Sequence, residues 1–147
     1  MRLTRSMKIG AASLAIAVGG AVAAFNPISP AVAFFSPPLF LDIQVESPAR
    51  LVARGAAVDV PVEITCTSDV AFVDVTLTQR AGSDIARGSG SATVGCTGQR
   101  QRILVTVTAF DGEAFRKQTA FADATIFGCA ETFCGSERDT ATIEIRR

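Results

Sequence analysis

The residues best equipped for chemistry are four cysteines, Cys66, Cys96, Cys129 and Cys134, in a chain of 147 residues that has no histidine, tryptophan or tyrosine. Cys129 and Cys134 enclose "AETF" and sit between two alternating apolar runs. Such a close pair could hold zinc, cycle between thiol and disulfide, or brace a loop. Zinc takes four ligands, usually arranged as two close pairs, and the sequence has one close pair and no histidine. A redox pair is usually Cys-x-x-Cys beside a helix that stabilises the thiolate, and neither feature occurs in the sequence. In a short exported chain four cysteines read as two disulfides, with three connectivities open. Sequential pairing, Cys66 with Cys96 and Cys129 with Cys134, is expected. Cys66 falls on the inward face with Ile64, whereas Cys129 is out of phase with Ala122, Ala124 and Ile126. The rival joins Cys66 to Cys129 across two sheets and needs a bulge to restore the phase. In the loop-entropy picture the larger sequential ring stabilises by roughly 3.7 kcal/mol and the smaller by roughly 2 kcal/mol, so the first holds the fold and the second shapes a loop.

Without histidine the usual general base and the commonest metal ligand are missing. No catalytic residue, metal ligand or cofactor site is assigned. Asp111, Glu113, Glu131, Glu137 and Asp139 are spaced neither as a calcium loop nor as a carboxylate pair for glycoside hydrolysis, and read as solvated loop acids. "RGSGSATVG", residues 87–95, lacks the Gly-Lys-Ser/Thr and the strand-to-helix turn of a phosphate cradle, and reads as a flexible outer strand. Arg100 and Arg102 alternate with Gln99 and Gln101 at a strand start and read as edge protection. Arg116-Lys117 is a small solvated basic spot. The binding candidates are Glu131, Thr132 and Phe133, inside the small ring. That ring is too small to bury its own phenylalanine, so Phe133 either packs back on the domain or stays exposed as an interface anchor.

The elements that position these residues follow period two. Leu41, Ile43 and Val45 alternate with polar residues, as do Val58 to Cys66, Val73 to Leu77, Ile103 to Ala109, Ala120 to Ile126 and Ala141 to Ile145. With "SGSATVGC" they give seven strands, and "RLVAR" offers a short extra edge. The segments between them, "SDVA", "RAGSD", "CTGQ" and "FDGEAFRKQ" among them, carry the Gly, Asp and Ser of turns. Almost no helix is expected. The expected fold is all-β, an immunoglobulin-like antiparallel β-sandwich of about seven strands with two disulfides. Pro61, inside an apolar run, is expected to face outward at an edge or bulge, because it cannot donate to a ladder.

Ahead of the strands, Arg2, Arg5 and Lys8 precede an uncharged apolar run from Ile9 to Ala24, and Ala31-Val32-Ala33 forms a small-x-small site before Phe34. This is the layout of a secretory signal peptide, residues 1–33, ahead of a domain at 34–147, with Val22-Ala23-Ala24 as the weaker cleavage site. The apolar run is shorter than the roughly 20 residues of a spanning helix, so no stable membrane span is expected after cleavage. The 34–147 domain holds 11 basic and 14 acidic residues, a balance that argues against nucleic acid as partner. Phe34, Phe35 and Phe40 crowd its start beside Pro37-Pro38.

The stretch "EITCTSDVAFVDVTLTQRAGSDIARGSGSATVGCTGQRQRILVTVTA", followed by "AFRKQTAFADATIFGC", a second nearby cysteine and a final "TATIEIRR", resembles a group of small exported actinobacterial immunoglobulin-like proteins. The resemblance implies export, a β-sandwich and two disulfides, and no activity. The late Cys-x4-Cys is also similar to neocarzinostatin-type carriers, which hold a small molecule in a cleft. The expected function is a non-enzymatic module that is secreted or associated with the cell wall, contacting a protein or cell-envelope component. The alternatives are a protease inhibitor presenting the 129–134 loop, and a small-ligand carrier.

Overall fold

The alternating runs become eight strands in a computed structural model that describes residues 38–110, 112–131 and 133–147. They are β1 (Leu41–Val45), β2 (Ala49–Val52), β3 (Ala57–Cys66), β4 (Val70–Ala81), β5 (Asp84–Gly95), β6 (Gln101–Phe110), β7 (Thr119–Ala130) and β8 (Phe133–Arg146). The expected leader, and with it Phe34, Phe35, Asp111 and Thr132, lies outside the described residues. The extra edge expected at "RLVAR" is β2, which ends in a tight turn, Ala53–Gly55, with all three residues at positive φ. β8 starts at Phe133, well before the Thr140 expected from its apolar alternation. Glu137 and Asp139 are therefore strand residues and not loop acids.

β1 and β2 lie end to end on one edge of β3, pairing with its residues 62–66 and 57–59. β6 occupies the other edge. From β6 the order runs through β5, β4, β7 and β8 to β2, which pairs in parallel with β8 at Ala49 and Arg50. Seven strands, β3-β6-β5-β4-β7-β8-β2, thus form a ring, with β1 alongside. The chain is all-β with two disulfides, as expected, but its strands are joined in one closed sheet instead of two separate ones.

The closure has a local cause. β5 pairs with β4 along its whole length and also with β6 at Arg87, Gly88 and Ser89. A Cβ on Gly88 would stand 2.5 Å from the Thr108 carbonyl oxygen, and one on Gly90 2.1 Å from that of Thr106. Any side chain at these positions would wedge β5 away from β6. The glycine-rich run read as a flexible outer strand is the seam that closes the ring.

The inward rows are small and β-branched: Val58, Val60, Val62 and Ile64 on β3, Val73, Val75 and Leu77 on β4, and Ala122, Ala124 and Ile126 on β7 are all essentially inaccessible. Each buried valine or leucine contributes about 1.5–3 kcal/mol relative to exposure. Phe115, from the β6–β7 loop, is buried with its ring against the position a Gly88 side chain would take. Buried Gln79 holds that loop. Its Oε1 accepts from Arg116 N–H (2.7 Å) and its Nε2 donates to the Arg116 carbonyl (2.9 Å), an exchange that satisfies both ends of the amide.

Pro61 keeps its expected outward parity at a break in pairing. Its carbonyl accepts from Glu46 N–H on the β1–β2 side, so its donorless nitrogen faces the gap around Ser47 and Pro48 where β1 gives way to β2. It is nevertheless buried.

Candidate functional site

The structure joins Cys66 to Cys96 and Cys129 to Cys134, and no described cysteine is free. The second bridge lies within a hairpin. Cys129 pairs directly with Cys134 and Ala130 with Phe133, so the hairpin turns between Ala130 and Phe133, where Glu131 is the described residue. The Cα separation of the bridged pair, 4.0 Å, belongs to the narrower, non-hydrogen-bonded class of antiparallel pairs. Glu131 has φ 50°, the left-handed conformation such turns require. A protease-inhibitor loop would present free, extended backbone. Here Ala130 and Phe133 are already engaged in the ladder, so the geometry offers a turn in place of such a loop.

Phe133 has inward parity, but it lies past the end of the core and is 67% exposed. A Cβ on Gly135 would meet Leu39 Cδ2 at 3.2 Å and Phe133 Cε1 at 4.0 Å, so Leu39 and Phe133 flank Gly135 at that end. Phe40, also exposed, lies at the same end, where its N–H donates to Thr67 Oγ1 (2.8 Å). The predicted binding residues Glu131 and Phe133 are thus neighbours on a rigid tip. Thr132 is not described.

The larger exposed aromatic group is one the sequence reading passed over. On the outer face of β5-β4-β7-β8, Phe72 and Phe127 stand directly opposite one another, 51% and 44% exposed. Val70, also exposed, is one row further toward the Cys129–Cys134 bridge. Alternation alone puts both phenylalanines outside; only the β4–β7 register brings them together. Down the same face β7 continues through Thr125 and Asp123 to Phe121, also exposed. Arg138 on β8 clasps Asp123 with two bonds, Nε to Oδ1 (2.8 Å) and Nη2 to Oδ2. The Arg138 guanidinium holds the Asp123 carboxyl below its ordinary value.

A groove of about 430 Å³ lies on the opposite side, outside the ring, between β2, β3 and β6, lined by residues including Pro48, Pro61, Ile103 and Leu104. Arg50 Nη2 donates to Asp59 Oδ2 (2.7 Å) and the Thr106 hydroxyl to Asp59 Oδ1 (2.8 Å). Those two bonds, the Arg50 bond first, hold the Asp59 carboxyl below the usual carboxylate range. Arg102 Nε lies 2.7 Å from Glu46 Oε2, an ion pair whose N–H is not aimed at the oxygen, so that buried oxygen has a counter-charge without a hydrogen bond. Arg100 pairs with Glu63 at 2.9 Å. The two arginines read as edge protection thus bridge to Glu46, just past the end of β1, and to Glu63 on β3. The carrier reading called for an apolar cleft between sheets. The groove is on the surface, and its rim charges are paired.

Among the described residues no group of three or more Cys, Asp or Glu could hold a metal ion, and no helix is long and apolar enough to cross a membrane. No family model and no curated protein matches the chain. Among solved structures it is similar to the major subunit AggA of aggregative adherence fimbriae type I from Escherichia coli, at 12% identity and a TM-score of 0.37, over 75% of this chain and 95% of that one. At that identity and score the likeness adds no argument about fold or function.

Proposed function

We propose that the protein is a non-enzymatic extracellular binding module, exported by its leader, that attaches to a cell-envelope component through the outer face of β4 and β7. The observation that carries this reading is the facing pair Phe72 and Phe127, half exposed on a rigid wall whose inner side is filled. Large exposed aromatics next to a disulfide-braced hairpin are costly to solvate and already ordered, so little entropy is lost when they are covered. The chain has no histidine, and the groove carboxylates Asp59 and Glu46 are each held against an arginine, which supports the non-enzymatic reading. Kinship with immunoglobulin-like modules belongs to the same proposal. Its support is the first strand, broken at Ser47 and Pro48, which runs antiparallel to β3 in both halves and parallel to β8 in the second.

Fractionating the producing cells tests the reading. The protein is expected in the wall fraction, and the double variant Phe72→Ser/Phe127→Ser should move to the culture medium with unchanged far-UV circular dichroism. Equal wall retention of variant and parent would remove this face from the function.

A further inference from the structure

We propose that the face carrying Phe72 and Phe127 is a binding platform for a neutral glycan chain, an inference that rests on the binding-module reading above and names its ligand class. The register fixes the layout. Phe72 and Phe127 form one row across β4 and β7. Phe121, six residues back along β7, marks a second aromatic row about 20 Å away at about 3.3 Å per residue.

Between those rows the surface is polar: five hydroxyl side chains, Thr76, Ser89, Ser91, Thr125 and Thr140, with Asp74 and the Asp123–Arg138 pair among them. Asp74 faces Ser91 on one side and Thr125 on the other, and Thr76 faces Ser89 and Asp123. Where β5 carries Gly90, the wall sinks into an open depression of about 420 Å³, lined by Asp74, Thr76, Ser89 and Ser91. Three hydroxyls that can donate or accept surround one carboxylate that only accepts, the set that matches a ligand rich in hydroxyl groups.

Charge narrows the class. Arg138 and Asp123 neutralise one another in a two-bond clasp, leaving Asp74 as the remaining charge of the central rows. That carboxylate, set against the single cation Arg87 opposite Thr78 in the Phe121 row, leaves the platform without the net positive charge that polyanions such as phosphate-linked polymers need. A protein partner would be met by a contiguous apolar centre with a polar rim. Here two aromatic rows are separated by a polar band long enough to lie under several linked sugar rings. The apolar faces of the rings would rest on the phenylalanines at either end, where aromatic faces offer large area at fixed geometry. Ring hydroxyls would bond to Asp74, Thr76 and Ser91 between them.

The test is titration of the protein, expressed from the full chain and purified with both disulfides formed, with cellohexaose, chitohexaose and maltohexaose, followed by amide chemical shifts. At least one hexaose is expected to bind with a Kd near or below about 1 mM, shifting residues 74–76, 89–91 and 121–127. Asp74→Ala and Phe127→Ala should each weaken that binding by about tenfold or more. Ser91→Ala, a small exposed change, repeats the test without threat to the fold, and Leu104→Ser on the far side should leave binding unchanged. No response to any hexaose at about 10 mM overturns the glycan assignment, as does binding indifferent to Asp74→Ala and Phe127→Ala. If the hexaoses fail while wall retention still depends on Phe72 and Phe127, the ligand is a protein and the broader reading stands. If both fail, the face is not a binding site.

Discussion

Asp59 organises the groove at the level of single residues, because one carboxylate accepts from Arg50 on β2 and from Thr106 on β6 and so ties three strands. Its folded pKa lies below the unfolded one, so its contribution is fully present above the unfolded carboxylate value of about 3.9 and is lost as pH falls through the folded value. Asp59→Asn should therefore destabilise by about 1–3 kcal/mol near neutral pH. The gap between parent and variant should close as the pH is lowered through about 4 and below. Urea melts at a series of pH values, followed by far-UV circular dichroism because the chain has no tryptophan or tyrosine, measure this directly. A constant gap down to pH about 2 would mean that the bonds to Asp59 contribute nothing through its charge. Asp139 plays a related part at the other seam, where its Oδ2 accepts from Val45 N–H (2.8 Å) and supplies the partner that no backbone carbonyl of β8 provides. Neither role is visible from the sequence, where Asp59 reads as an outward residue of an alternating strand and Asp139 as a loop acid.

Strands carry the next set of consequences. β5 can bridge β4 and β6 only because Gly88 and Gly90 let two backbones approach without side chains between them. Gly90→Ala should destabilise by about 1–3 kcal/mol, the cost of overpacking at a contact that cannot give way. Gly95→Ala, at the end of the same strand with open space around it, should stay within about 0.5 kcal/mol. Thermal unfolding of the two variants separates them, and equal effects would mean the seam tolerates a side chain. Most strands were legible: alternation in the sequence located six of them, while "SGSATVGC" was placed between turns without it and "RLVAR" was offered as a short extra edge. Their ends were less so, because Phe133 to Asp139 lack apolar alternation and become strand by pairing with β7 through the braced turn.

The two disulfides act differently on the molecule as a whole. Cys66–Cys96 spans 30 positions and ties the end of β3 to the end of β5, whereas Cys129–Cys134 spans five and joins residues already opposite each other in a ladder. Replacing Cys66 and Cys96 by alanine should cost about 3–4 kcal/mol, and replacing Cys129 and Cys134 about 2 kcal/mol or less. Denaturant midpoints of the two double variants decide the order, and a larger loss from the small ring would reverse the assignment of roles. The face bearing Phe72 and Phe127 is likewise a property of the molecule, since it exists only where four strands are in register.

By itself the sequence determined the all-β class, which side of the six alternating strands faces in, and the absence of histidine-based chemistry. These follow from residue type and a period of two, which act locally. It also favoured the sequential cysteine pairing, through the phase of Cys66 against that of Cys129. Closure of the ring, the burial of Gln79 and Phe115, and the meeting of Phe72 with Phe127 were decided by the tertiary structure alone. Each depends on which strands become neighbours and in what register, and a period of two looks the same for every neighbour and every even shift. Phe133 shows the division most plainly: its parity points inward, and only the length of the β7–β8 hairpin past the end of the core leaves it in solvent.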